Sequence, residues 1–134
     1  MFVDAAAIVA MLSQETEAER CSQAIIDASA SFTSAIAVWE AAMALSRPEK
    51  LAVPVELSLK IVNRFLEERA IALRELPPAS DATALSIEAA SRFRNNALRL
   101  NLADCFHYAC ARYYDVPMLS TADEFRLTDL RTVP

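Results

Sequence analysis

The chain predicts an α/β fold in three layers, with a parallel sheet of four to five strands flanked by helices. Three observations carry that prediction. Short strand-like segments recur at Met1–Asp4, Ser31–Ala35, Ile71–Leu76, Val116–Thr121 and Leu130–Val133. Helical stretches separate most of them, and parallel pairing needs crossovers of that length. A hydrophobic content of 54% supplies enough apolar surface to cover a sheet on both faces.

Each element has a local reason. Met1–Asp4 is apolar up to its last residue and reads as a buried first strand. Ala5–Leu12 is alanine-rich and reads as a helix that follows at once. Ser13 is expected to cap a second helix, with Glu15, Glu17 and Glu19 near its positive end, running to about Ala28. Ile36–Leu45 reads as a helix carrying Glu40, broken by Pro48 and its polar surroundings. Pro54 suits the first turn of the next helix, which continues to about Arg69 with Leu57, Ile61 and Phe65 at spacing four. Ile71–Leu76 alternates apolar and polar, and Pro77-Pro78 ends it. Ser80 is expected to cap a helix over Asp81–Phe93, followed by a polar loop and a last helix over Asn101–Tyr114.

With 134 residues, no internal repeat, no low-complexity tract and no linker, the expectation is one domain over residues 1–134. No apolar run reaches the ~18 residues needed to span a bilayer, so no membrane role is expected. The first residues lack a basic flank, and Cys21, Cys105 and Cys110 form an odd set without CxxC spacing. Both features suit a reducing, cytoplasmic setting, with the cysteines acting as small buried hydrophobes.

Glycine is absent, where ordinary usage would give about nine residues. That removes dinucleotide-binding GxGxxG turns, P-loops, GxSxG elbows and EF-hand loops, all of which need glycine's backbone freedom. Left-handed positions must then be filled by other residues, with Asn95, Asn96 and Asn101 the obvious candidates. The net charge of −5 disfavours a general nucleic-acid-coating surface. The charge is uneven, however: residues 1–90 hold 13 acids and 7 bases, whereas residues 91–134 hold 5 and 6. Arg92, Arg94 and Arg99 form a local run without an intervening acid, which leaves room for a localised RNA contact.

The functional signal lies in acids set in apolar surroundings. Asp4 interrupts MFVDAAAIVAML, and the nearest basic residue in sequence is Arg20. Glu40 sits in AIAVWEAAMAL, Asp104 in LNLADCFHYACA, and Asp123 follows MLSTA. A buried carboxylate needs a cationic partner, a proton or a metal. Asp4 falls at the end of the first strand, Asp123 just past the fourth, and Glu40 and Asp104 early in helices. Ligands of open parallel sheets bind beyond the carboxyl ends of the strands, so the four could share one crevice. Oxygen-only ligands suit Mg²⁺ or Mn²⁺, which can activate water against a phosphodiester. With eighteen acids in the chain, pairing with arginines brought in by the fold is the competing explanation.

The segments VDAAAIVAML, TSAIAVWEAAMAL, LNLADCFHYACAR and PMLSTADEF resemble, in order, segments of PIN-domain proteins, specifically VapC-type toxin ribonucleases of toxin–antitoxin pairs. The resemblance covers nearly the whole chain. It implies Mg²⁺- or Mn²⁺-dependent endoribonuclease activity and places the family's acids on Asp4, Glu40, Asp104 and Asp123. Asp4 and Asp104 would hold the metal directly or through water, and Glu40 would orient the attacking water. Asp123 would be a peripheral member, serving a second metal. Thr121 is a further candidate donor.

The resemblance also implies a homodimer, an RNA substrate and a VapB-type antitoxin, with DNA reached only indirectly through that antitoxin. The chain departs from the family pattern at Ala6, often Ser or Thr, and at Ala103 and Ala122, often glycine. Those departures motivate the alternative of a catalytically decayed PIN-like module acting only through protein binding.

Other residues admit two readings. His107 lies three residues after Asp104 and shares its helix face, so it could ligate metal or contact RNA; packing with one nitrogen satisfied is the plainer use. A Cys110–His107 nucleophilic pair lacks an orienting third group nearby in sequence. Trp39 and Tyr113-Tyr114 could stack bases, with core or dimer packing the plainer role.

Overall fold

A computed structural model describes residues 1–94 and 100–133 of the chain. Asn95, Asn96 and Arg99, named above, lie outside the described residues. Five strands, β1 (Phe2–Val3), β2 (Ser31–Ser34), β3 (Ile71–Arg74), β4 (Met118–Leu119) and β5 (Thr132–Val133), form one parallel sheet in the order β3-β2-β1-β4-β5. Six helices accompany it among the described residues: α1 (Ala5–Leu12), α2 (Ala18–Asp27), α3 (Ala35–Leu45), α4 (Val55–Glu68), α5 (Ala79–Phe93) and α6 (Leu102–Tyr113). A short 3₁₀ helix spans Asp123–Leu127.

The strand order explains the layers. From β1 the chain steps outward to β2 and then β3, and it returns across the sheet to β4. Right-handed crossovers put the helices of the outward steps on one face and α5 and α6 on the other. The order reverses between β1 and β4, where Phe2 pairs with Met118 and Val3 with Leu119. That reversal opens the crevice in which this architecture binds ligands.

The core forms where apolar side chains of β1 and β4 meet those helices. Phe2, Val3, Ile8, Leu45, Val62, Tyr108, Met118, Leu119 and Phe125 are all inaccessible to solvent. Phe2 and Phe32 meet edge to face at 5.7 Å, and Tyr114 packs edge to face on Phe32 at 5.0 Å. All three cysteines are free and buried, as small hydrophobes would be.

Several boundaries differ from the sequence expectation. Ser13 closes α1, its backbone N–H bonding to the Val9 carbonyl, rather than capping α2. A turn then intervenes, and α2 begins after Glu17 without a side-chain cap. Pro78 rather than Ser80 precedes the first residue of α5, so Ser80 lies inside the helix. Pro54 likewise sits at the cap position before α4, one residue earlier than expected.

The missing glycines are replaced at other places than predicted. Asn101 has φ −82° and caps α6, so it is not left-handed. Gln14, Ala70 and Asp115 take positive φ instead, each as the residue just beyond the C-cap of α1, α4 and α6. Glycine commonly ends helices at that position. Ala52, in the connection between α3 and α4, is the fourth such residue among those described. A β-carbon in the left-handed region costs about 1–2 kcal/mol, which the packing around these helix ends must offset.

Candidate active site

β1 is only two residues long, and α1 starts immediately after it. Asp4 is therefore both the strand-end residue and the N-cap of α1, and its Oδ1 accepts a 2.7 Å hydrogen bond from the Ala5 N–H. On the neighbouring strand, the pairing of Val3 with Leu119 sets Ser120 beside Asp4. The Ser120 hydroxyl donates to Asp4 Oδ2 at 2.6 Å and accepts from the Ala122 N–H at 3.0 Å. This contact crosses the point where the strand order reverses.

His107 reaches the same carboxylate from α6. Its ring is fully buried, with Nδ1 2.8 Å from Asp4 Oδ1 and Nε2 3.4 Å from Glu40 Oε2. Nδ1 lies within hydrogen-bond distance of Asp4, and hydrogen bonding and charge together couple the imidazole to that acid, with charge coupling it to Glu40. Burial alone would raise the pKa of Asp4; His107, the Ser120 hydroxyl and the Ala5 N–H outweigh it and hold the carboxyl below its ordinary value. Burial alone would lower His107, but Asp4, Glu40 and Asp104 push it above its ordinary value.

Glu40 lies in α3, whose start is capped by the Ser34 hydroxyl accepting from the Ala37 N–H. Asp104 lies in the first turn of α6 and closes a reciprocal cap: its Oδ2 accepts from the Asn101 N–H at 2.7 Å, while its own N–H donates to the Asn101 side chain. That cap fixes where Asp104 stands. Partial burial raises the pKa of both Glu40 and Asp104, and the negative charge of Asp4 raises each further.

Asp4, Glu40 and Asp104 line one cleft of about 470 Å³, together with Ala6, Thr121 and Ala122. Asp123 does not join them. Its side chain is 86% exposed and lies 3.6 Å from Arg126, because Ser120 takes the strand-end position and Asp123 opens the 3₁₀ helix beyond it. Three of the four named acids thus line the cleft, and Asp123, expected as a peripheral member, stands outside its lining.

His107 joins this cluster from the helix face that its spacing from Asp104 indicates. Ser120 was passed over in favour of Thr121; a serine just after a buried apolar strand needs a partner, and that was the available cue. Cys110 is buried with its thiol pushed up to about 12 by desolvation, which does not suit a nucleophile. Tyr114 packs on the core and Tyr113 against Tyr114, while Trp39 stands 63% exposed at the cleft.

Among the described residues, no three His, Cys, Asp or Glu side chains stand together as a ready-made metal cage. The donor set still fits a hard divalent cation. Three carboxylates share a cleft, and the negative charge of Asp4 raises the pKa of Glu40 and of Asp104, a repulsion that a cation would relieve. Mg²⁺ commonly keeps several waters and takes only one or two carboxylates, so a closed cage is not required.

The family model described as PIN domain matches residues 1–129. The chain belongs to the PIN domain family. Curated relatives match it nearly end to end. Ribonuclease VapC of Mycolicibacterium smegmatis is 30% identical over 134 residues, covering 99% of each chain. Ribonuclease VapC42 of Mycobacterium tuberculosis is 31% identical over 136 residues, covering 98% of this PIN domain and 97% of its own length. Among solved structures, VapC20 of Mycobacterium tuberculosis, described as a sarcin-ricin loop cleaving toxin, superposes with a TM-score of 0.74. It is 12% identical and covers 99% of this chain and 98% of its own, a likeness of fold. The α/β sheet order and flanking helices are thus those of a VapC-like PIN fold.

Proposed function

We propose that this PIN domain is a Mg²⁺- or Mn²⁺-dependent endoribonuclease toxin, and that residues 1–134 form its single domain. The observation that carries this reading is the meeting of Asp4, Glu40 and Asp104, from three separate elements, in one cleft at the strand-order reversal. Relatives named VapC ribonucleases at about this identity support the substrate class. Asp4 and Asp104 would hold the ion, directly or through water. The bound ion supplies an activated water and charge stabilisation at the phosphoryl oxygen.

The chain's own residues do the remaining work. Glu40, with its raised pKa, orients the attacking water and can take its proton. Ser120 and the Ala5 N–H fix the Asp4 carboxylate in one orientation, and the cap from Asn101 does the same for Asp104. His107 holds Asp4 and Glu40 on either side of its ring and offsets their repulsion. Thr121 stands at the cleft as a hydroxyl donor. Asp123 serves at most the periphery.

The same reading adds a homodimer, work in the cytoplasm and a VapB-type antitoxin. The acidic cleft suits an antitoxin tail rich in basic residues. Affinity for such a partner should fall with rising salt, and indifference to ionic strength would remove the electrostatic account.

A second reading, a PIN-like module that binds protein without cutting RNA, draws on Ala6 and Ala122, which line the cleft where a hydroxyl and a glycine are common. The deciding assay is cleavage of single-stranded RNA with Mn²⁺ or Mg²⁺, wild type against Asp4→Asn. Metal-dependent cutting lost in the variant supports the enzyme. Equal cutting in both, or none in either with metal bound, would sink it.

A further inference from the structure

The cleft is lined by two sets of side chains of different chemistry. One is the three carboxylates; the other is Trp39, Met43, Arg47 and Lys50, with Glu15. Trp39 is the only tryptophan in the chain, immediately precedes Glu40, and belongs neither to the buried core nor to the side chains packed against it. Trp39 and Met43 are four residues apart on α3 and therefore stack on one face. Arg47 follows four residues later, in the turn that leaves α3, and its N–H bonds to the Ala44 carbonyl. That turn keeps the guanidinium on the cleft side. Lys50 pairs with Glu15 across the cleft. Among the described residues, Arg47 has no carboxylate partner.

We propose that this second set of cleft residues forms a nucleotide subsite for single-stranded RNA: Trp39 stacks on a base flanking the cut, and Arg47 with Lys50 holds the adjoining phosphate. The proposal rests on the ribonuclease reading above and assigns recognition to residues outside the acid cluster. The chemistry is complementary along the cleft. The carboxylates call for a cation, the exposed indole offers a flat apolar face, and Arg47 and Lys50 call for an anion. A polynucleotide strand offers phosphates and a base close together. A duplex fits poorly, since its bases are already stacked within the helix. The Lys50–Glu15 pair is part-buried, so a phosphate must take over from Glu15 as the partner of Lys50.

The single tryptophan makes the subsite directly observable. A phosphorothioate-linked single-stranded oligoribonucleotide is titrated into the protein with Mn²⁺, reading binding by anisotropy and contact by Trp39 fluorescence. Quenching should track binding. Trp39→Ala should weaken binding and raise KM roughly 5- to 150-fold, as expected for loss of one base–aromatic stack. Its Mn²⁺ affinity should stay unchanged, and Trp39→Phe should recover most of the loss. Arg47→Ala should reduce the slope of log affinity against log salt by about 0.7, one phosphate contact on a single strand.

Binding without quenching, together with unaltered affinity in Trp39→Ala, would overturn the subsite and leave the ribonuclease reading standing. Failure of the wild type to bind or cut RNA would overturn both. A Trp39 signal that changes with protein concentration alone, with Trp39→Ala breaking an oligomer but keeping RNA affinity, would make this face a self-interface and overturn the subsite.

Discussion

The junctions after β1 and β4 lie side by side, yet they treat their acids in opposite ways. After β1, the residue following the strand is Asp4, which is 3% exposed and held by Ala5, Ser120 and His107. After β4, the equivalent residue is Ser120, and the acid arrives three residues later as the exposed Asp123, paired among the described residues with Arg126. In register, Ser120 is the counterpart of Asp4. At this pair of junctions, the acid at the position where the strand hands over to the next element enters the site. Offset by three residues, the same chemistry becomes a solvated surface pair.

That contrast can be broken in order of expected effect. Asp4→Asn should lower metal-dependent RNA cleavage more than about 100-fold, since outer partners of metal ligands alone cost 10–100-fold. Initial rates against Mn²⁺ concentration measure this. Asp4→Ala should also destabilise the fold by about 3–5 kcal/mol, because it strands the buried His107 imidazole. Urea unfolding at neutral pH reads that loss.

The Asp4–His107 pair also predicts a pH signature. His107 is raised above its ordinary value of about 6.5, so its stabilising contribution is complete below that pH and is lost as pH rises through the higher folded value. Asp4 is lowered, so its contribution is present above the ordinary carboxylate range and is lost as pH falls through the lower folded value. His107→Gln should flatten the alkaline side of the stability profile. An unchanged profile in urea unfolding across pH would contradict the pairing.

Ser120→Ala, which removes a hydrogen bond to a buried carboxylate, should cost about 1.5–3 kcal/mol in the same unfolding assay. Asp123→Asn should change stability by less than about 0.5 kcal/mol, as for other exposed ion pairs, and should leave most cleavage intact.

The fold was legible because its signals are local and repeated. Apolar segments alternating with helices fixed the class and the element order, and the boundaries of α1 fall where the alanine-rich run begins and ends. What escaped was set by neighbours in space. Ser13 and Ser80 carry the right chemistry for caps, but the turn with Gln14 and the restraint at Pro77-Pro78 decide where α2 and α5 begin. The site divides the same way. Asp4, Glu40 and Asp104 announced themselves as charges in apolar runs. Ser120 and His107 are defined by what crosses from β1, and no pattern along the chain records that Val3 pairs with Leu119. Asp123, read as peripheral, stands exposed beside Arg126. For Trp39 the sequence allows both base stacking and packing, and its exposure at the cleft favours the first.

The most direct test of the three-acid site is calorimetric titration of Mn²⁺ into the wild type and the Asp4→Asn, Glu40→Gln, Asp104→Asn and Asp123→Asn variants, each checked for folding. The account predicts binding that is weakened or lost in the first three variants and near wild type in Asp123→Asn. Equal loss in Asp123→Asn, or full binding in Asp4→Asn, would contradict it.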